Sequence, residues 1–132
     1  MQPEGIRALA AALRDGRTTP RRLLDDAVAH LRLSEPSLHA YLATTFEQAG
    51  AQADAAARRL EEDPADAPLL CGIPMALKDV LCVEGIETTA ASRILKGFRP
   101  PYTATAAQRL FDAGAVCVGK TNCDEFAMGS SN

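Results

Sequence analysis

The chain has 132 residues, 47% of them hydrophobic and 23% charged, with a formal net charge of −3 at pH 7. That length suits one globular domain or a piece of a larger one, able to bury about two-thirds of its unfolded surface. The acidic balance excludes the electrostatic footprint of a direct nucleic-acid binder, and no run approaches the roughly 18 apolar residues of a membrane span.

No secretory signal precedes Ile6, so the expected compartment is the cytoplasm. Cys71, Cys82, Cys117 and Cys123 form no C-x-x-C pair, and His30 and His39 are the only further soft ligands. They read as small packing residues, and no metal site is expected.

Residues 1–67 are rich in Ala and Arg and follow a helical period. Ile6, Leu9, Ala10 and Leu13 share one face, and Gly16 follows where a helix exit needs a left-handed residue. Thr19 and Pro20 open a second helix that buries Leu23, Leu24, Ala27 and Leu31, and residues 34–37 (SEPS) are expected to break it. Residues 40–42 read as a strand or a mere connection. Thr45 and Gln48 then resemble a capping box ahead of a third helix with Phe46, Ala49, Ala53, Ala57 and Leu60 on one side. Alanine on that side predicts close packing against a neighbour. Residues 61–68 (EEDPADAP) read as a solvated loop.

Beyond Pro68 the period changes. Residues 75–83 (MALKDVLCV) are apolar on both alternating faces except at Lys78 and Asp79, which predicts a central strand covered on both sides. A helix through Ala107, Leu110 and Phe111 and a short buried strand over residues 115–118 follow. Strand, helix and strand in that order predict one crossover on a parallel sheet. A last element is expected from Asn122, capped by Glu125 and running into Met128.

Residues 114–121 (GAVCVGKT) match the G-x-x-x-x-G-K-[ST] phosphate-loop pattern. That pattern needs a strand before the first glycine and free N–H groups between the two. Here a helix precedes Gly114 and a β-branched strand fills the gap. Nucleotide binding is not expected, and Lys120 reads as a strand-end residue that caps or forms a nearby ion pair.

Lys78 is one of only three lysines and stands among Met75, Leu77, Val80 and Leu81. A buried ammonium must be paired or must lose its proton, and a desolvated neutral lysine can act as a base. Strand neighbours point to opposite faces, so Asp79 is a poor partner for it. A structural ion pair and a catalytic base both remain open on spacing alone.

The run Gly72-Ile73-Pro74-Met75-Ala76-Leu77-Lys78-Asp79 resembles the G-[IV]-P-x-x-[IL]-K-D signature of the amidase signature family. Residues 88–92 (TTAAS), 101–105 (PYTAT) and 119–131 (GKTNCDEFAMGSS) match that family in order and spacing. The DEFAMGSS run is most similar to the A subunits of glutamyl-tRNA(Gln)/aspartyl-tRNA(Asn) amidotransferases.

The resemblance implies an α/β fold: N-terminal helices (1–67) followed by a strand-helix-strand part (68–132) of a mixed, mostly parallel α/β/α core. It implies a Ser–cis-Ser–Lys triad with Lys78 as the lysine, buried and with a depressed pKa in the complete protein. It also implies a substrate pocket that includes Met128, Gly129 and Ser130. Glutamine would be the amide hydrolysed, and its ammonia would pass to subunits B and C. The partner subunit would use ATP and Mg2+ to amidate a mischarged aminoacyl-tRNA, and no cofactor is implied in this chain.

The family's two catalytic serines lie in a Gly/Ser-rich stretch downstream of DEFAMGSS. None of Ser34, Ser37, Ser92, Ser130 and Ser131 matches them. The chain therefore reads as an N-terminal portion with one triad member of three, inactive alone. A stand-alone amidase of the same family and a non-catalytic fragment are the alternatives.

Overall fold

The computed structural model describes residues 5–129. Its elements run α1 (Ile6–Arg14), α2 (Pro20–Leu38), β1 (Tyr41–Thr44), α3 (Phe46–Glu62), β2 (Pro74–Lys78), α4 (Thr105–Asp112) and β3 (Val116–Thr121). Single 3-10 turns occur at Arg93–Leu95 and Glu125–Ala127. The strands form one mixed sheet in the order β1-β3-β2, with β1 antiparallel and β2 parallel to β3.

The helix signals act largely as the residues predict. In α1, Ala10 and Leu13 are buried, and Leu13 packs on Leu23 and Ile73. Gly16 takes a φ of +68° just past the helix end. Thr19 caps α2 by accepting the Arg22 N–H at 3.2 Å, with Pro20 in the first turn.

The end of α2 differs from expectation. The helix continues through Ser34-Glu35-Pro36-Ser37 and stops only at His39, a left-handed residue with φ +50°. Pro36 removes one N–H near the end of the helix, where the loss of a single bond is tolerable. Glu35 then closes the end: its carboxylate accepts the N–H groups of Ala40 at 3.2 Å and Tyr41 at 2.8 Å.

The capping box is also absent. Thr45 precedes α3 without a side-chain cap, because its buried hydroxyl donates instead to the Cys117 carbonyl at 2.8 Å. Ala49 and Ala53 are fully buried and bring α3 against Leu24, Val116 and Val118. The helix extends through Glu61 and Glu62, and the following loop is partly anchored. Arg14 donates to the carbonyls of Pro64 at 3.2 Å and Ala67 at 2.7 Å, and Ala67 itself is buried.

The largest correction concerns the sheet. The run 75–83 is not one central strand. β2 ends at Lys78, and the Leu81 N–H turns back to the Lys78 carbonyl at 2.9 Å. Leu81 and Val83 keep their apolar role by packing with Ile86, Leu77 and Ala107 from a loop. The centre belongs to β3, whose residues Val116 to Lys120 are all buried, and β2 is an edge strand among the described residues.

The strand-helix-strand order does give a parallel β2-β3 pair with α4 between them in sequence. α2 and α3 cover one side of β3 through Val116 and Val118. Ala107, Leu110 and Phe111 of α4 cover the other through Cys117.

Candidate functional site

The parallel strands β2 and β3 end side by side, with Lys78 opposite Thr121 and Leu77 opposite Lys120. Crevices at the carboxyl ends of parallel strands are the usual place for ligand chemistry in such sheets. Strand alternation separates two charged groups here. Lys78 points to one face with Ala76, and both are exposed. Leu77 and Asp79 point to the other and are buried, at 3% and 1% exposure.

The buried lysine of this region is Lys120. It is wholly inaccessible, and its ammonium donates to Asp79 Oδ1 at 2.9 Å and to Thr88 Oγ1 at 2.9 Å. The second oxygen of Asp79 accepts the N–H of Thr89 at 2.8 Å and its hydroxyl at 2.6 Å. The Asp79 N–H donates to the Thr121 carbonyl at 2.9 Å, extending the pairing one residue past β2. Both buried charges are thus paired and hydrogen-bonded, the condition under which burial is tolerated.

The network reaches two loops. The Asp79 carbonyl accepts the Ala90 N–H at 3.2 Å, and the Ala90 carbonyl accepts the Phe126 N–H at 2.9 Å. The Ser92 hydroxyl donates to Glu125 Oε1 at 2.7 Å. Glu125 is therefore spent on a loop-to-loop bond, and the expected capped element from Asn122 is instead one 3-10 turn over Glu125–Ala127. Ala90, Ala91, Phe126 and Ala127 all have positive φ, between 49° and 56°. Left-handed backbone at four non-glycine positions is costly, and surrounding structure must hold it in place.

Of the residues singled out from sequence, Lys78 lies exposed at the end of β2. Met128 is 81% exposed just after the 3-10 turn. Gly129 follows it, against Asp124, where a Cβ would meet the Asp124 Cγ at 2.6 Å. Ser130 and Ser131 lie outside the described residues. The turn that precedes Met128 and Gly129 is tied to the Lys78 strand end through Phe126, Ala90 and Asp79. Sequence reading weighed Asp79 only as a poor partner for Lys78 and Glu125 only as a cap, and gave Thr88, Thr89 and Ser92 no role of their own. The signal for Lys120 was present: it interrupts an apolar strand as plainly as Lys78 does.

The phosphate-loop pattern is occupied by sheet. The Val116 N–H donates to the Ile73 carbonyl at 2.9 Å, the Cys117 N–H to Gln52 Oε1 at 2.8 Å, and Lys120 is held by Asp79. No ATP-dependent rise in melting temperature is expected in a thermal-shift measurement. Such a rise would overturn the reading of residues 114–121.

Burial pushes the thiols of Cys71 and Cys117 above their ordinary pKa, so both are protonated packing groups at neutral pH. Among the described residues no three His, Cys, Asp or Glu side chains stand together as a metal-holding group. No helix among them is long and apolar enough to cross a membrane.

Comparison with known proteins matches this architecture. The chain is 51% identical over 126 residues to the A subunit of the glutamyl-tRNA(Gln) amidotransferase of Chloroflexus aurantiacus, covering 96% of this chain and 26% of the relative. It is 44% identical over all 132 residues to the corresponding protein of Halorhodospira halophila, covering 27% of that protein. The chain thus spans about a quarter of the length of the relatives it matches.

Among solved structures, the native peptide amidase of Stenotrophomonas maltophilia superposes with a TM-score of 0.85 at 30% identity, over 95% of this chain and 26% of that one. The 6-aminohexanoate cyclic dimer hydrolase gives 0.80 at 28% identity, over 93% and 24%. The Amidase family profile matches residues 22–132, from the first turn of α2 through the whole sheet and both loops of the Asp79 network, and the chain belongs to that family.

Proposed function

We propose that this chain is the N-terminal part of the A subunit of an amidotransferase, which hydrolyses glutamine and supplies ammonia for converting Glu-tRNA(Gln) or Asp-tRNA(Asn) to the amidated forms. The observation that carries the reading is the 51% identity to a glutamyl-tRNA(Gln) amidotransferase A subunit across nearly the whole chain. In this reading Lys78 is the base of a Ser–cis-Ser–Lys triad. One serine attacks the amide carbon, its proton passes through the second serine, and Lys78 receives it. Both serines, and the donors that stabilise the developing oxyanion, match no position of these 132 residues. Met128, Gly129 and Ser130 would line the glutamine pocket. Subunits B and C would receive the ammonia, with ATP and Mg2+ used on their side.

A stand-alone amidase is the second reading, favoured by the superposition on the peptide amidase. One experiment separates the two. The subunit containing this segment, assembled with B and C, should release ammonia from glutamine and amidate mischarged tRNA. Turnover of other amides without any glutamine-dependent tRNA amidation would favour the stand-alone enzyme.

The 132-residue chain by itself is expected to release no ammonia from glutamine. Loss of a serine nucleophile alone costs on the order of a millionfold in rate. Ammonia release from the purified chain, lost on Ser130→Ala, would make Ser130 the nucleophile and overturn this assignment.

A further inference from the structure

We propose that Asp79, Lys120 and Thr89 are positioning residues for the amide-hydrolysing site: their buried network fixes the end of β2 that presents Lys78 and welds to it the two loops that follow. The inference rests on the functional reading of Lys78 given above. Its grounds are geometric.

Asp79 directly follows Lys78, and it is bound from four directions. Its N–H holds the Thr121 carbonyl and its carbonyl holds the Ala90 N–H, while its two carboxylate oxygens hold Lys120 and Thr89. The backbone that follows Lys78 is thereby held by two segments at once, β3 and the loop at Thr89 and Ala90. The Lys78 side chain emerges on the opposite face, where Asp79 cannot satisfy it as a partner. Asp79 therefore anchors the backbone beneath Lys78 while its charge is consumed by Lys120.

The same carboxylate organises the loops. Through Thr89 it holds the left-handed pair Ala90 and Ala91, and through the Ala90 carbonyl it reaches Phe126, a left-handed residue two positions before Met128. Ser92 and Glu125 make a second tie between the same two loops. A fully enclosed ion pair costs desolvation that an apolar pair would avoid, so stability alone is a weak reason for it. A rigid placement of catalytic and substrate-facing backbone is a stronger one, since a misplacement of about 1 Å can cost roughly a hundredfold in rate.

The test uses the complete assembled enzyme and Thr89, which is only half-buried, so the fold should survive its replacement. Thr89→Val removes the hydroxyl donated to Asp79 and keeps the size, whereas Thr89→Ser keeps the hydroxyl. Thr89→Val should lower kcat for glutamine hydrolysis by about a hundredfold with KM nearly unchanged. Hydrogen exchange should quicken at the Ala90 and Phe126 amides and stay slow in α3. Thr89→Ser should restore both readouts.

A Thr89→Val enzyme with kcat within threefold of the unsubstituted one, or with unchanged exchange at Phe126, would overturn the proposal. If the unsubstituted enzyme hydrolyses a different amide, the glutamine reading fails and the same kcat comparison on that amide decides this one. If it hydrolyses none, the reading of Lys78 fails and the proposal of a positioning role falls with it.

Discussion

Lys78→Ala in the complete enzyme is expected to reduce amide hydrolysis by about 10²–10⁴-fold, the usual contribution of a positioned general base, while the fold survives. Survival is expected because Lys78 makes no buried contact here: it lies exposed, on the face of β2 away from Leu77 and Asp79. A lysine acts as a base only in its neutral form, which desolvation favours. The face it shares with Ala76 is open in this segment.

Lys78→Arg should be as inactive as the alanine variant, because a guanidinium keeps its proton throughout. Activity of Lys78→Ala within tenfold of the unsubstituted enzyme would remove Lys78 from the mechanism.

Gly119→Val should destabilise the chain by about 1–3 kcal/mol, near the upper end of that range for overpacking. A Cβ at Gly119 would lie 2.5 Å from the Ala43 carbonyl oxygen and 2.8 Å from a Tyr41 ring carbon. The first of these is backbone, which cannot swing aside as a flexible side chain can. β1 would have to lift from β3, breaking the pairing of Thr44 with Gly119 and of Ala43 with Lys120. Urea denaturation should report a lower midpoint with a similar slope. An unchanged midpoint would mean that β1 does not pack on β3 at this position. The second glycine of the phosphate-loop pattern in residues 114–121 is thus required by the close approach of β1 to β3.

Much of the fold was legible because local chemistry and tertiary role agree. The Ala10-Leu13 side of α1, the Ala49-Ala53 side of α3, the Thr19-Pro20 start and the parallel strand-helix-strand unit follow from residue spacing, whereas Ile6 is 49% exposed and Ala56 is buried in place of Ala57. Where they fail, a side chain has been drawn into tertiary bonding. Thr45 and Glu125 both had the local pattern of a helix cap, and both bond across the fold instead, to Cys117 and Ser92. The apolar run 75–83 suggested the centre of a sheet, since periodicity cannot distinguish a long strand from a short one followed by a loop that packs under a helix.

The candidate site was half legible. Alternation correctly separated Lys78 from Asp79, but it could not reveal that a residue 41 positions later supplies the partner of Asp79. Lys78 and Lys120 raise the same question from sequence, a cation in an apolar strand, and only the register of β2 on β3 gives them opposite answers.

The central place of β3 bears on the order in which the chain takes shape. β1 and β2 are both made before the strand that each of them pairs with, and Thr45 waits 72 residues for Cys117. During synthesis the helices can form as they emerge, since their bonds are local, whereas the sheet cannot begin until residues 116–121 clear the ribosome. Until then β1 and β2 are unpaired edges on a growing polypeptide, the state in which nascent chains are most open to mispairing. Closure of the sheet therefore rests on contacts of high sequence separation and on one six-residue segment that arrives after both of its partners.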